Sequence, residues 1–404
     1  MWRRHGDLSY SFLTFVIFCF EVAGLGFLTL AFAGQLFGVL PYAEVLAALI
    51  SVVTVTAIAL CVLTGYILVY HALTGAREQQ RAERVAGWTD QWIRAIYDEE
   101  AIPPLTSEST EAGLNLRHLL SGEEGRTVAE ALWRTGAVAG LLRKLQSSRM
   151  TDRMEALDAM SKARLPTVLP MVVGLMTSPE PIVRLMATRA AARTLSEWFG
   201  PGRDDAFQLF AEALPRADLP AGAMAETLLL LEGNASGVVA RLLSDRDSPP
   251  RVLRATLDAV GRLGLMEFAY EAAVWTNHSD PEVRAAALRT LGRLGRVPMR
   301  ARDAVVIALV DDTEFVRVQA ARAAAFVPAR IAVTALYQAL GDPSWWVRRA
   351  AAESMLHRGK WGMAALKKAA RSHADRFARD MAAQVMLDAG HVRAEGVPPL
   401  RATA

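Results

Sequence analysis

The sequence predicts an all-α protein, a transmembrane helical hairpin followed by an α-solenoid, and two observations carry that prediction. The first is where the apolar residues lie. A chain of 404 residues, 52% hydrophobic with a mean hydropathy of +0.20, keeps all but two of its cations and three of its acids beyond residue 76. The second is a short segment that recurs every 30 to 33 residues through much of the charged remainder. Four regions follow: a two-span hairpin over 1–76, an amphipathic juxtamembrane helix and linker over 77–124, the solenoid over 125–390 and a C-terminal tail over 391–404.

The hairpin rests on two apolar runs, Leu8 to Leu40 and Val45 to Tyr70. Each exceeds the ~20 residues a helix needs to cross the hydrocarbon layer. Pro41 lies between them, so Gln35 to Glu44 is expected to turn. Arg3 and Arg4 precede the first run, Arg77, Arg81 and Arg84 follow the second, and the connecting loop has no cation. The positive-inside rule then places both termini and the solenoid in the cytoplasm, at a bacterial inner membrane. Arginine dominates lysine in the chain, which is the ground for the bacterial origin. A cleavable signal peptide is the competing account of the first run, since Ala31-Phe32-Ala33 resembles a cleavage site. The length of the run and Glu21 within it argue against that account.

Glu21 is the one acid deep in a span and a candidate functional residue of the membrane part. The alternative is a carboxylate near the inner interface that reaches water. Gly34 and Gly38, and Ala57, Cys61 and Gly65, place small residues at four-residue spacing where helices approach closely. Cys19 and Cys61 both lie in apolar runs, which gives neither a disulfide framework nor a metal site.

After the second span, Val85, Trp88, Trp92 and Ile96 recur at helical spacing among arginines, the pattern of a basic amphipathic helix. Arg77, Arg81, Arg84, Trp88 and Trp92 are therefore candidates for the membrane surface, with anionic lipid of the inner leaflet as their ligand. A cap on the first repeat is the other reading of the same helix. Ala101 to Gly113, with Pro103-Pro104 and then Thr, Ser and Glu, reads as a linker.

The repeat is clearest at Asp280-Pro-Glu-Val-Arg284 with its Ala-rich continuation. It returns around Arg184, Arg317 and Arg348, and more weakly around Arg153, Arg254 and Arg379. Intervals of 31, 30, 33, 31 and 31 residues, and a gap of 70 between Arg184 and Arg254, give seven or eight helix pairs. On these residues the chain resembles the HEAT-repeat family, in the short bacterial form also seen in phycobilin-lyase-like repeats, over roughly 125–390. The resemblance implies stacked helix pairs that bury a continuous core and hold partner proteins on an extended surface. By analogy it further implies an accessory of a membrane glycosyltransferase in exopolysaccharide synthesis and export. Local chemistry agrees: Asp-Pro caps a helix, Val faces the core, Ala permits close stacking, and the arginines are expected to form a ladder with aspartates of adjacent repeats.

Residues 341–380 hold nine Lys and Arg against four Asp and Glu, with three tryptophans. Trp345, Trp346, Arg348, Arg349 and Trp361 are the candidate partner-binding residues, because Trp and Arg dominate contact energies at interfaces. Tryptophans that fill the groove between repeats are the alternative. A net charge of +3 is too mild for nucleic acid. The seven histidines are scattered singly, with no nucleophile and base, metal spacing or phosphate loop, so no catalytic residue, cofactor or metal is expected. The function read from the sequence is thus a membrane-anchored, non-enzymatic scaffold. A transporter or signalling subunit acting through the hairpin and Glu21 is the alternative.

Overall fold

A computed structural model describes residues 24–26, 29, 32–34, 36, 41–98, 101–198 and 200–390, and none of these lies in a strand. The chain divides into two compact units, one ending at Ala112 and one beginning at Gly113.

The first unit is dominated by α1, Tyr42–Tyr97, a helix of 56 residues that starts directly after the extended Pro41. Most of the first expected span, Glu21 included, lies outside the described residues. The second expected span occupies the first half of α1, whose leucines, isoleucines and valines face outward, for example Ile50, Val53, Ile58 and Leu68. Among the described residues α1 is the one helix long and apolar enough to cross a membrane. No break separates this half from the arginine-rich half where a boundary at 76/77 was expected. The sequence across that point is rich in Ala, Glu, Gln and Arg, all strong helix formers, and Gln79 bonds Glu83 one turn on.

The linker is shorter than Ala101 to Gly113. The helix α2, Ser107–Leu119, begins inside it, because the Thr106 hydroxyl accepts the Ser109 N–H at 3.0 Å and caps the first turn. Pro103 and Pro104 keep only 101–106 irregular.

In the second unit α3, Gly122–Arg134, pairs with α4, Ala137–Leu145. Seven further pairs follow: α5 and α6 (Met150–Ala163, Leu169–Gly174), α7 and α8 (Pro181–Ser196, Arg203–Ala213), α9 and α10 (Ala221–Leu229, Ala235–Ser244), α11 and α12 (Pro250–Leu263, Ala269–Val274), α13 and α14 (Pro281–Leu294, Arg302–Ile307), α15 and α16 (Glu314–Ala324, Ala329–Ala339), and α17 and α18 (Trp345–His357, Gly359–Ser372). A single helix α19, Arg376–Asp388, closes the stack.

From α9 onward the first helix of each pair packs directly on the first helix of the next, α9 on α11, α11 on α13, and so on to α19. Alanine makes this possible: Ala285, Ala286 and Ala287 in α13, Ala320, Ala321, Ala323 and Ala324 in α15, and Ala350, Ala351 and Ala352 in α17 are all buried. Val283, Val316 and Val347 sit at one position of successive helices at 0% exposure, inside a core that runs from Val239 to Met386. No pair could bury its apolar face alone, so stacking supplies the stability.

Candidate functional site

The turn before each first helix is built on its arginine. Arg184, Arg284, Arg317, Arg348 and Arg379 each donate from Nη1 to the carbonyls six and five residues earlier, at 2.6 to 3.0 Å for the sixth and 3.0 to 3.3 Å for the fifth. One cation thereby satisfies two carbonyls at a helix junction.

Three of the recurrent arginines also reach the next repeat. Arg284 forks onto Asp311 at 2.9 Å through Nε and Nη2, Arg317 onto Asp342 at 2.8 and 3.1 Å, and Arg153 onto Glu180 at 2.7 Å. The fork depends on an acid in the next turn, and the turn before Arg379 has His373 there instead of aspartate. Arg348 accordingly has no such acid and lies over the Phe377 ring, 5.3 Å from its centroid.

His278 and His373 occupy the position of Asp311 and Asp342 and do half the same work. Their Nδ1 atoms accept the N–H of Asp280 and Asp375 at 3.0 and 3.1 Å, as Asp311 and Asp342 accept from Thr313 and Ser344. The sequence reading passed over these histidines as scattered. Their place six residues before an arginine was the available signal. Arg254 is a correction in the other direction. Val252 aligns with Val283, which puts Leu253 at the arginine position and Arg254 one step on, where it pairs with Glu282 at 3.2 Å.

Electrostatics follow the ladder. The Arg153 hydrogen bond, with help from the Ser178 hydroxyl and a backbone N–H, holds the Glu180 carboxyl down to about 2. Burial alone would raise Asp311, but bonds from Arg284 and the Thr313 N–H outweigh it and leave the group below its ordinary value.

The candidate partner-binding residues separate into different environments. Arg348 is committed to backbone carbonyls of its own turn, and Arg349 is held by Glu353 at 2.5 Å and Asp388 at 2.8 Å. Nearby acceptors thus engage Nη1 of Arg348 and both Nε and Nη1 of Arg349. Trp345 and Trp346 are exposed and meet edge to face at 4.8 Å, so they do not fill the groove between repeats. Trp361 is also exposed, but it starts α18 whereas they start α17, a 13-residue helix that puts ~20 Å between such positions.

Trp346 instead belongs to a row along the first helices. Phe315, Trp346 and Phe377 stand two residues before the arginines of three successive repeats, at intervals of 31, and are 41%, 61% and 64% exposed. The spacing was legible in the sequence, but the local enrichment of tryptophan drew attention instead. On α18, Lys360, Lys367, Lys368 and Arg371 are exposed, the helix has no acid, and none of the four pairs with an acid among the described residues. Lys360 lies 5.9 Å from the Trp361 ring centre and Lys368 5.7 Å from that of Tyr337.

The membrane-surface candidates need correction. Trp92 is 2% exposed and its indole N–H donates to the Ser109 carbonyl at 2.9 Å, so it packs under α2 rather than at a headgroup level. Arg81 pairs with Glu111 at 2.6 Å and Arg84 with Glu108 at 3.6 Å. Trp88 is half-buried and Arg77 exposed.

The residues at the centre of the arginine ladder match the family described as HEAT repeats, over 271–357. Residues 271–357 are thus similar to HEAT repeats. No curated protein matches the sequence. Solved structures similar to the chain include an engineered protein, at 20% identity over 74% of this chain and 88% of that one with a TM-score of 0.32. The E. coli protein YIBA is similar at 15% identity over 71% of this chain and 99% of its own, with a TM-score of 0.38. Kap121p, bound to Pho4p in its crystal structure, is similar at 14% identity over 64% of this chain, with a TM-score of 0.44; the match spans 33% of the Kap121p chain. The matched segment covers α13 to α17 and includes Phe315, Trp346 and the forks of Arg284 and Arg317.

Proposed function

We propose that this chain is a membrane-anchored HEAT-repeat scaffold that docks a partner protein on the exposed strip of its last first-helices, α15, α17 and α19. The observation that carries the reading is the row Phe315, Trp346 and Phe377. Three large apolar side chains kept exposed at one position of three successive repeats cost solubility, and the ring contacts of Trp345 on Trp346 and of Arg348 on Phe377 leave Trp346 and Phe377 more than half exposed. Exposed aromatic anchors of this kind carry most of the energy at protein interfaces. First helices stack at about 8–10 Å, so an extended partner segment rising ~3.3 Å per residue meets one aromatic every third residue.

The anchor in this reading is a helical hairpin at a bacterial inner membrane, with the repeats on the cytoplasmic side. Its support is the apolar half of α1 and the approach of Gly24 to it: a Cβ on Gly24 would lie 3.0 Å from a Val52 methyl, a small residue where two helices meet. The four cations of α18, none of which pairs with an acid among the described residues, are the surface this reading offers to anionic lipid.

The test is crosslinking of the full-length protein in its native membranes followed by mass spectrometry, with a Trp346→Ala/Phe377→Ala variant alongside. Capture of one protein by the wild type and its loss in the variant supports the docking strip. A captured membrane glycosyltransferase would place the chain beside exopolysaccharide synthesis. Capture that survives the aromatic variant but vanishes in Glu21→Gln would move the function to the hairpin, as a transporter or signalling subunit, and sink the scaffold reading.

A further inference from the structure

Between α13 and α15 a groove of about 370 Å³ is lined by Arg289, Gly292, Arg293, Gln319, Arg322 and Phe326 and by no acid. Its charge departs from the rule set by its neighbours. One junction earlier, Arg262 and Arg293 reach toward Asp258 at 3.7 and 2.6 Å, and Arg262 also reaches Glu226 at 2.6 Å. Two junctions later, Arg349 lies between Glu353 of its own helix and Asp388 of α19. On these flanking helices Arg262, Arg293 and Arg349 each meet an acid from their own or an adjacent helix. In this groove the sequence puts Arg289 where α11 has Asp258, and Arg322 at the same position of α15. Neither arginine pairs with an acid among the described residues, and Arg293 already has its Nη1 on Asp258.

Two like charges at equivalent positions of adjacent stacked helices repel, and nothing in the packing requires them: the buried side of both helices is alanine, valine and leucine. Guanidinium forks present paired donors in a plane that matches a carboxylate, and Gln319 adds an amide donor beside them. The backbone at Gly292 keeps the floor open, with Ala323 as its nearest neighbour across the groove.

We infer that this groove is an oxyanion site, and that its occupant is a side-chain carboxylate from an acidic segment of the docked partner. The inference rests on the reading that the first-helix strip docks a protein and supplies the chemistry of that partner: acidic residues over α13 and α15, apolar ones over Phe315, Trp346 and Phe377. The acid missing from the groove is contributed by the partner, in the place that Asp258 fills at the preceding junction.

The probe is a fluorescein-labelled deca-glutamate peptide, titrated by anisotropy against the full chain in nanodiscs of neutral phosphatidylcholine. Arg289→Gln/Arg322→Gln is expected to weaken binding at least tenfold, and Arg289→Lys/Arg322→Lys to weaken it by a smaller factor, since charge is kept and the fork is lost. Lys367→Gln/Lys368→Gln and Trp346→Ala/Phe377→Ala are expected to stay within twofold. Retention in the aromatic variant separates the groove from the docking row, so failure of one does not imitate failure of the other. An equal loss in Lys367→Gln/Lys368→Gln would make the binding a general charge effect and overturn the site, as would full binding by Arg289→Gln/Arg322→Gln. Saturable binding of inorganic phosphate without binding of the peptide would assign the groove to a small anion and overturn the acidic segment.

Discussion

At the residue scale the ladder arginines differ from ordinary surface ion pairs by burial and by the number of acceptors they serve. Arg317 and Asp342 are 14% and 9% exposed in their side chains, and Arg317 also satisfies the carbonyls of Asp311 and Asp312. Arg317→Ala leaves all three acceptors wanting and is expected to cost about 3 kcal/mol, the cost of removing one partner from a buried pair. Arg376→Ala, whose Asp380 contact at 3.7 Å is exposed on both sides, is expected to cost under ~0.5 kcal/mol. Native-state hydrogen exchange of α15 to α19 checks both, because stability in a repeat stack is local. The same ladder fixes a pH dependence. Glu180 and Asp311 are held below their ordinary values, so both bind protons more weakly in the folded chain than in the unfolded one. Their stabilisation is full above the unfolded value and is lost as pH falls; for Glu180 the window runs from 4.5 down to about 2. Unfolding curves from pH 6 to 2 should show declining stability, and Glu180→Gln should flatten part of that decline. Arg184, Arg284, Arg317 and Arg348 were legible in the sequence because each lies after a turn and a core valine. Arg254 misled because arginine alone was aligned; the valine register would have placed Leu253 there.

At the element scale, the periodicities that announced helices were sound wherever a capping residue or proline marked a boundary, as at Pro41, Asp280 and Asp375. They were weaker where tertiary contact decides: Thr106 starts a helix inside an apparent linker, and Trp92 turns inward because α2 covers it. Two glycines show the same division between local preference and packing. Gly362 faces the Met355 carbonyl oxygen of α17, so closely that an added Cβ would overlap it, and Gly362→Ala should push α18 from α17 at a cost of about 2 kcal/mol. Gly140, inside α4, has nothing within 4 Å of an added Cβ, and Gly140→Ala should stabilise by ~0.5–1 kcal/mol through helix propensity alone. Thermal unfolding of the two variants beside wild type should therefore shift in opposite directions. Similar shifts of one sign would mean that backbone entropy, not the close approach of α17 and α18, sets the value of Gly362.

At the scale of the whole molecule, the sequence separated an apolar segment from a repeat array, and α1 shows how the apolar part is extended. Its 56 residues span ~84 Å at 1.5 Å per residue, far more than the ~30 Å of a hydrocarbon core. Only the half up to Tyr70 is apolar, and the half with Arg81, Arg84 and Trp92 is tied to the segment 107–112 by ion pairs and an indole hydrogen bond. A membrane boundary, if α1 crosses one, must then fall near residue 70, with Cys61 more than two turns inside it. In a Cys19→Ser background Cys61 is the remaining thiol, and it is exposed on the isolated helix. It should resist a membrane-impermeant maleimide in intact and in opened membranes alike and react only after denaturing detergent strips the lipid. Ala101→Cys in the loop after α1, in a chain that also carries Cys61→Ser, should react in whichever preparation exposes the repeat side, and so report orientation. Rapid labelling of Cys61 in opened membranes would mean that its exposed leucines and valines are covered by protein or water rather than lipid. The apolar half of α1 would then be a docking surface in its own right.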